Sequence, residues 1–332
     1  MGHRVVIAAD NKPLALLQSV FPDNQFVRFP GYEPTYNKGT SLVLKMITDA
    51  PGILRSFRND QIMLDKIIQQ HKVDGLISDN RFGASSSKIS SVFITHQLFI
   101  QTPNFLNFTK PIINYLNFKY IRKFNEVWIP DFKQEPTLSG RLSHGRVSNM
   151  NIHYIGPLSR FSQTDVTQFE EKDKQIDLLV LLSGPEPQRS ILEKLIVQQL
   201  KNSTFKAMII RGLPGETNAP ACSDNLLMKN HVNQDEFLQS ITQARYIVAR
   251  AGYSTIMDLV ALHQKAILIP TPGQTEQEYL AKHLNDFGQF YFVNQDKFNL
   301  LNIEVSWFNE PKITNATSDL LSQRIQSWVS AL

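Results

Sequence analysis

One segment in the second half of the chain decides the fold class. It reads Tyr246-Ile247-Val248-Ala249-Arg250-Ala251-Gly252-Tyr253-Ser254-Thr255-Ile256-Met257-Asp258. The apolar run at its start predicts a buried strand, Ala251 and Gly252 predict a turn of small residues, and a helix is expected from about Ser254. A strand that enters a helix through a short turn is the repeating unit of a parallel sheet covered by helices.

The turn in this segment has the composition of an anion-binding site. Glycine allows a ligand to approach the backbone, and the free amides of a helix's first turn attract phosphate. We expect Ser254 or Thr255 to cap the helix. Asp258 lies one helical turn after Ser254, where its carboxylate can accept hydrogen bonds from ribose hydroxyls. Taken alone, the segment is more readily an ordinary strand–turn–helix joint with a solvated aspartate, because small turns before helices are common.

A second segment follows with a similar layout. A predicted strand at 266–269 leads into the polar loop Thr271-Pro272-Gly273-Gln274-Thr275-Glu276-Gln277-Glu278 and then a helix. We expect Thr275 to cap this helix and Glu278 to complete a capping box. Glutamine and glutamate at the carboxyl end of a strand also supply donors and acceptors for sugar hydroxyls. A well-capped helix with no ligand is the plainer alternative.

The same alternation of strands and helices extends along almost the whole chain. It pauses at residues 159–174, which are polar and lack a sheet-like pattern. We therefore predict an α/β protein with two doubly wound domains, at 1–157 and 158–332. Two such domains in tandem leave a cleft between the carboxyl ends of their strands, where open sheets bind ligands.

Composition narrows the class of protein. The 332 residues are 42% hydrophobic and 19% charged, which excludes a largely disordered chain. The net charge of +4 is scattered along the sequence, so no nucleic-acid partner is predicted. A single cysteine excludes an internal disulfide, and no Cys/His cluster has metal-ligand spacing. With no membrane-spanning run, we expect a cytoplasmic protein, with peripheral association at the inner face of the membrane.

Residues 246–284 resemble, in order and spacing, the C-terminal domain of glycosyltransferase family 28. The resemblance implies a glycosyltransferase-B fold, in which two Rossmann-like domains face a cleft and the second domain binds a nucleoside diphosphate sugar. On the positions that match, it implies a set of donor-site residues. Those for the diphosphate are Gly184, Arg189, Ala251, Gly252 and Ser254; Val232 meets the base through its backbone, Asp258 the ribose, and Gln274, Gln277 and Glu278 the sugar.

Two of these positions carry an open alternative. Glu278 stands where the peptidoglycan N-acetylglucosaminyltransferase of the family has glutamine, so the identity of the sugar stays open. Arg189 is as readily a solvent-facing helix residue. In the first domain, His96 and Asp79 each follow a predicted strand and face the cleft. The resemblance makes His96 a catalytic candidate, because histidine titrates near neutral pH and can orient or deprotonate an acceptor. A lone histidine is more often structural, but this one shares the predicted rim with Asp79, which is the second catalytic candidate.

The start of the chain departs from the family pattern. Met1-Gly2-His3-Arg4-Val5-Val6 resembles the approach to the family's second strand, so the first strand and its glycine-rich histidine loop are expected to be absent. His3 precedes a strand and is not that loop histidine. Such a loss is expected to expose apolar sheet surface and to weaken transfer more than nucleotide-sugar binding.

The resulting prediction is an inverting, metal-independent hexosyltransferase without a cofactor. Its donor is a nucleotide sugar, most simply UDP-linked with an N-acetylhexosamine or hexose, and its acceptor is an unknown or lipid-linked glycan of the cell envelope. The alternatives are a non-catalytic nucleotide-sugar-binding protein and a UDP-sugar epimerase of the same fold. Residues 42–58 are read as a core helix in preference to a lipid-facing one.

Overall fold

The computed structural model describes residues 2–31, 50–164, 174–218, 220, 223–286, 288–303 and 318–332. Its strands are β1 (Val6–Ala9), β2 (Gln25–Arg28), β3 (Gly75–Asp79), β4 (Ser90–Ile94), β5 (Glu126–Ile129), β6 (Ile152–Tyr154), β7 (Ile176–Leu181), β8 (Ala207–Ile210), β9 (Leu226–Lys229), β10 (Ala244–Ala249), β11 (Ala266–Leu268) and β12 (Phe290–Phe292). Its α-helices are α1 (Asn11–Val20), α2 (Ala50–His71), α3 (Lys110–Ile121), α4 (Gln188–Leu200), α5 (Gln234–Thr242), α6 (Tyr253–Ala261), α7 (Thr275–Asn285) and α8 (Ser318–Val329).

The second half of the chain forms one six-stranded parallel sheet. Its strand order is β12-β11-β10-β7-β8-β9. Strand β10, which leads into the small-residue turn at Ala251 and Gly252, lies inside this sheet between β11 and β7. The chain therefore brings the loops that follow β7, β10 and β11 to the same carboxyl edge, as the predicted doubly wound α/β fold requires. The strands β9 and β12 were not predicted, because both are short and lie at the outer edges of the sheet.

The two faces of this sheet have separate cores. Alternate residues of β7 point to opposite faces, so Leu179 and Leu181 pack with α6 and α7, whereas Leu178 and Val180 pack with α4. All four side chains are buried. Apolar residues on both faces explain why the strand reads as a continuous hydrophobic run.

The first half of the chain contains two parallel sheets. One is the pair β1-β2 and the other is β3-β4-β5-β6, and no strand pairing joins them in the described part of the chain. Helix α2 packs Leu64 and Ile67 into a cluster that also holds Phe29, beside β2, and Leu76 of β3. The two sheets thus share a core while presenting unpaired strand edges. Nearby apolar side chains are exposed, among them Leu16, Val20 and Ile77.

The last helix, α8, packs against the first half of the chain. The Trp328 ring meets the Trp128 ring edge-on at 5.9 Å, and its Nε1 donates to Ser90 Oγ at 2.9 Å. Arg324 pairs with Glu126 of β5. The predicted boundary placed all of 158–332 in the second domain, and the structure differs at this helix. The boundary was drawn from the rhythm of strands, which carries no information on where a terminal helix docks.

Two further expectations concern helices. Of the predicted helix at 42–58, residues 42–49 lie outside the described residues, and α2 begins at Ala50. The described part of α2 contributes Leu64, Ile67 and Ile68 to a core cluster. Among the described residues, no helix has both the length and the apolar character needed to cross a membrane.

Candidate functional site

The turn after β10 leaves the start of α6 open. The helix begins at Tyr253 with Gly252 at the N-cap, and no side chain caps it, so the prediction of a Ser254 or Thr255 cap is wrong. A Cβ built on Gly252 would meet nothing nearer than Thr255 Oγ1 at 4.0 Å, whereas Ala251 is fully buried. Uncapped amides beside open space are suited to an anion.

The loop after β11 is shaped by the side chains that sequence analysis assigned to the sugar. Gln277 Oε1 accepts from the Thr271 amide at 2.9 Å, and Glu278 Oε1 accepts from the Gly273 amide at 3.0 Å. Gln274 is the N-cap residue of α7, without a side-chain cap bond. The predicted Thr275 cap is therefore wrong. Contact of Gln274, Gln277 and Glu278 with a hexose stays a prediction.

The loop after β7 approaches the loop after β11. Gly184 has φ +93°, a region that favours glycine, and a Cβ on it would lie 3.8 Å from Thr271 Oγ1. The side chain of Val232 belongs to the core cluster under α6 and α7. Only its backbone is therefore left for the predicted contact with a base, which stays a prediction.

Arg189 does not extend into solvent. Its guanidinium donates to Glu186 at 2.7 Å, to Glu193 at 2.6 Å and to Ser190 at 2.7 Å, and the residue is 5% exposed. Burial alone would raise the pKa of Glu193, but hydrogen bonds from Arg211 and Arg189 hold it below its usual range. The charge of Arg189 is thus matched by carboxylates of its own helix region. The alternative that Arg189 faces solvent is therefore wrong. A contact between Arg189 and a phosphate stays a prediction, which the pairing with Glu186 and Glu193 disfavours.

Asp258 faces the segment that connects the two halves. Its carboxylate accepts from Ser159 Oγ at 2.7 Å, and Arg160 Nε lies 3.8 Å away. Burial raises the pKa of Asp258 above its ordinary value, and the hydrogen bond from Ser159 opposes that shift only in part. A ribose would therefore compete with, or join, the Ser159 hydroxyl at this carboxylate.

We predict that Asp258→Asn lowers the affinity for the donor and raises the stability of the folded protein. A carboxyl whose pKa is raised on folding destabilises the native state once pH exceeds its unfolded value, because the folded state holds the proton more tightly. Asparagine at position 258 can still accept a hydrogen bond from Ser159. The thermal midpoint of the variant should therefore exceed that of the wild-type protein at pH 7. The gain should vanish as pH falls through the folded-state pKa towards the ordinary value of 3.8.

Thermal melts at pH 7 and below pH 4, together with UDP titration, check this prediction. Asp224→Asn, at an exposed residue, is the control for simple loss of a charge. A lower midpoint at pH 7 would contradict the burial argument. Unchanged UDP affinity would exclude the ribose role.

His96 joins the two halves of the site. Its Nε2 lies 2.7 Å from Glu276 Oε1 in the first turn of α7, and its ring stacks on Tyr253 with centroids 4.1 Å apart. Tyr253 in turn donates from its hydroxyl to the Pro130 carbonyl at 2.8 Å. The structure therefore brings the predicted catalytic histidine against the open start of α6. Sequence analysis missed Glu276, although its place in a helix's first turn at a strand's carboxyl end was a signal.

Asp79 shares the rim with His96. It ends β3, next to β4, whose last residue Ile94 lies opposite it in register. Its side chain is exposed to solvent, yet the protein around it raises the pKa of the carboxyl by desolvation, and the charge of His96 acts in the opposite sense. Asp79 thus lies within electrostatic reach of His96, and it keeps access to a ligand.

Arg250 is a second buried guanidinium, which sequence analysis passed over as the end of a strand. It is fully buried, and within the described part of the chain its hydrogen bonds go to carbonyls alone: Nη1 to Ile269 and Pro270 at 3.2 and 3.1 Å, and Nη2 to Gln188 at 2.7 Å. Burial lowers the pKa of Arg250 to about 10. Within the described ranges, no cluster of three or more His, Cys, Asp or Glu side chains is placed to hold a metal ion.

Comparison with known proteins was made on sequence and on structure. Residues 189–308 match the glycosyltransferase family 28 C-terminal domain. Over 134 residues the chain is 28% identical to UDP-N-acetylglucosamine--N-acetylmuramyl-(pentapeptide) pyrophosphoryl-undecaprenol N-acetylglucosamine transferase of Haemophilus ducreyi. That alignment spans only 38% of this chain and 38% of the relative's own length.

Solved structures share the fold across nearly the whole chain. CalG4, the calicheamicin glycosyltransferase, superposes with a TM-score of 0.63 at 12% identity over 99% of this chain and 90% of that one. MurG of Acinetobacter baumannii superposes with a TM-score of 0.55 at 14% identity, over 99% of this chain and 91% of that one. The UDP-GlcNAc 2-epimerase of Methanocaldococcus jannaschii superposes with a TM-score of 0.53 at 13% identity, over 98% of this chain and 100% of that one.

The structural matches confirm the predicted glycosyltransferase-B architecture, and the family match covers part of the second half of the chain. The order of strands around β10, the open turn before α6 and the polar loop before α7 all fall within the matched residues or beside them. Residues 189–308 therefore resemble a glycosyltransferase family 28 C-terminal domain, and the chain has the glycosyltransferase-B fold of these solved structures.

Proposed function

We propose that this protein transfers a hexosyl group from a nucleoside diphosphate sugar to an acceptor hydroxyl. The observation that carries the proposal is the position of His96, held by Glu276 and Tyr253 at the uncapped start of α6. A group able to take a proton thereby lies beside amides able to hold a diphosphate. The family match and the transferase relative support the same class of reaction.

The reaction follows from this arrangement. With His96 Nε2–H donating to Glu276, Nδ1 is the nitrogen that takes the proton of the acceptor hydroxyl. The hydroxyl oxygen bonds to the anomeric carbon from the face opposite the diphosphate, and the carbon–oxygen bond to the phosphate breaks with its electron pair. The departing diphosphate gains negative charge, which the amides and dipole of α6 stabilise. Attack from the opposite face inverts the anomeric centre, and no metal or cofactor is needed.

We infer a UDP-linked donor. The H. ducreyi relative is named for a UDP-N-acetylglucosamine substrate, and the M. jannaschii structure holds UDP-GlcNAc and UDP. Calorimetric titration with UDP is the direct test, and binding in the micromolar to millimolar range is expected. Absence of any UDP binding would overturn both the transferase and the binding-protein readings.

Two other functions remain as outcomes of the same assay. Conversion of a UDP-sugar without acceptor would indicate an epimerase, which the fold of the M. jannaschii enzyme makes a specific alternative. UDP binding with neither conversion nor transfer, using acceptor fractions from bacterial envelopes, would indicate a non-catalytic nucleotide-sugar-binding protein. UDP release that depends on an acceptor fraction would support the transferase.

A lipid-linked acceptor fits a surface of the first domain, which we call the aromatic face. It consists of exposed apolar side chains on the 3-10 turn at 104–109 and on α3, at helical spacing: Phe105, Phe108, Ile112, Tyr115 and Leu116. The sequence between Asp79 and Glu126 contains no acidic residue, whereas Lys119, Arg122 and Lys123 are exposed beside this face. Apolar side chains ringed by cations suit the surface of an anionic membrane.

The aromatic face is connected to the donor site by hydrogen bonds. Lys110 Nζ donates to Gln101 Oε1 at 2.9 Å, and the Gln101 carbonyl accepts from Thr275 Oγ1 at 2.9 Å. Thr275 begins α7, so a lipid-borne acceptor at this face would present its headgroup near the sugar loop.

Vesicle binding tests this membrane surface. The double variant Phe105→Ser/Phe108→Ser is expected to lose about tenfold or more in affinity for phosphatidylglycerol-containing vesicles, since each buried aromatic ring contributes over 1 kcal/mol. Leu301→Ser, at a leucine that is 78% exposed but remote from α3 in sequence, is the control. Equal sedimentation of both variants with vesicles would contradict the assignment, as would indifference of the wild-type protein to anionic lipid.

A further inference from the structure

A cavity lies where the first half of the chain meets the outer side of α7. Its volume is about 390 Å³, which is large enough for a small-molecule ligand. Helix α7 contributes Tyr279, Lys282, His283 and Asp286 to its lining. Their spacing of three, one and three residues places them on one face of the helix. None of these four side chains was assigned above to the donor or to proton transfer.

The loop after β5 forms the opposite wall and lies close against α7. A Cβ on Gly140 would come within 2.5 Å of Tyr279 Oη and 2.7 Å of His283 Nε2, so this approach requires glycine. The Arg141 amide donates to Tyr279 Oη at 2.7 Å, and His283 Nε2 donates to the Thr137 carbonyl at 2.8 Å. Hydrogen bonds from both walls therefore hold the cavity as part of the fold.

The charges around the cavity are balanced. Arg141 and Lys282 are exposed cations, whereas Glu135 and Asp286 are exposed carboxylates. A site for a simple anion or for a metal ion carries an excess of the opposite charge. A matched set of donors and acceptors instead suits a ligand rich in hydroxyl groups, because each hydroxyl both donates and accepts. A sugar ring has this character.

The cavity continues along α7 from the proposed proton acceptor. His96 lies against Glu276 in the first turn of this helix. The cavity side chains follow Glu276 by three to ten residues, from Tyr279 to Asp286, which is about 5–15 Å along the helix axis. Most of that distance exceeds the width of one sugar ring. A sugar whose hydroxyl meets His96 therefore has its neighbour in the glycan beside the cavity.

We propose that this cavity binds a sugar unit of the acceptor, next to the unit that carries the reacting hydroxyl. Arg141 and Lys282 donate to the hydroxyls of that unit, and the carboxylates of Glu135 and Asp286 accept from them. The acceptor is therefore a glycan of two or more units and not a single sugar. This inference rests on the proposed transferase function and names the acceptor class, which the donor site leaves open.

Ligand-observed NMR on the full chain with UDP present tests the acceptor class without requiring turnover. The probes are N,N′-diacetylchitobiose, cellobiose and maltose, each compared with its own monosaccharide. At least one disaccharide should bind about tenfold or more tightly than its monosaccharide, because the second unit adds hydrogen bonds to charged groups. Equal affinities within every pair, or no binding by any of these sugars, would overturn the subsite.

Lys282→Ala and Arg141→Ala test the cavity from its two walls. Each should weaken disaccharide binding about tenfold, while the affinities for monosaccharide and UDP change by less than about twofold. In transfer assays the KM for the disaccharide should rise with kcat unchanged, since His96 is untouched. Lys194→Ala, at an exposed lysine of α4, is the matched control and should behave as wild type.

Two results with these variants would overturn the subsite. One is an unchanged disaccharide affinity in both variants, and the other is an equal loss of affinity for monosaccharide and disaccharide. A wild-type protein that binds disaccharides but not UDP would instead keep the subsite and overturn the proposed donor.

Discussion

Replacing His96 with asparagine should lower the rate of acceptor-dependent UDP release by roughly 10²–10⁴-fold, the range over which a positioned general base contributes. Asparagine retains a hydrogen-bonding group towards Glu276 but cannot accept a proton at neutral pH. The site amides of α6 are untouched, so UDP affinity should change by less than about threefold. A selective loss of turnover is what separates a base from a residue that merely supports the fold.

The matched control is His231→Asn, at an exposed histidine in the second half of the chain. It should keep wild-type turnover. Turnover of His96→Asn within about threefold of wild type would remove His96 from the reaction. Parallel loss of UDP affinity and turnover would instead indicate that the stacking of His96 on Tyr253 holds the donor site together.

The second large effect concerns stability and falls on Asp131. Its fully buried carboxylate accepts from the amides of Phe132, Leu138 and Ser139 at 2.7–2.8 Å and lies 3.2 Å from His144 Nε2. Alanine would leave several buried donors without a partner. We expect Asp131→Ala to lower the free energy of unfolding by about 3–5 kcal/mol, as measured by denaturant titration.

The loop that Asp131 organises also touches the second domain, which gives this change a further consequence. The Arg141 amide donates to Tyr279 Oη at 2.7 Å, and His283 Nε2 lies 2.8 Å from the Thr137 carbonyl. Asp65→Ala removes only a surface ion pair with Lys88 and should cost less than about 1 kcal/mol. Similar losses in the two variants would contradict the role of Asp131 as the organiser of this loop.

Local pattern was sufficient for the fold class, because the relevant signals are short-range. The apolar strand at β10, its small-residue turn and the polar loop before α7 were all read from spacing along the chain. The positions of the N-caps were misjudged, because the structure places Gly252 and Gln274 there without a capping side chain, and which residue of a polar turn comes first in the helix depends on backbone geometry. The docking of α8 was missed because Trp328 meets Trp128 across a separation of 200 residues in sequence.

Recognition of the candidate site was limited in the same way. Single residues such as His96 and Asp258 could be proposed from their place after strands or in a helix. Their partners could not, because Glu276 and Ser159 are far from them along the chain. Arg189 and Arg250 are the same residue type in the sequence, yet Arg189 is surrounded by carboxylates and Arg250 by carbonyls. Only three-dimensional surroundings distinguish a guanidinium paired with carboxylates from one bonded to carbonyls.

The return of α8 to the first sheet has a mechanical consequence. The chain enters the second half after β6, and α8 packs on the first half again, so both ends of the second half's sequence adjoin the first half. Because hydrogen bonds from Arg141 to Tyr279 and from Thr275 to Gln101 also cross between the halves, the loops after β10 and β11 lie between parts of the protein that are held together at more than one place.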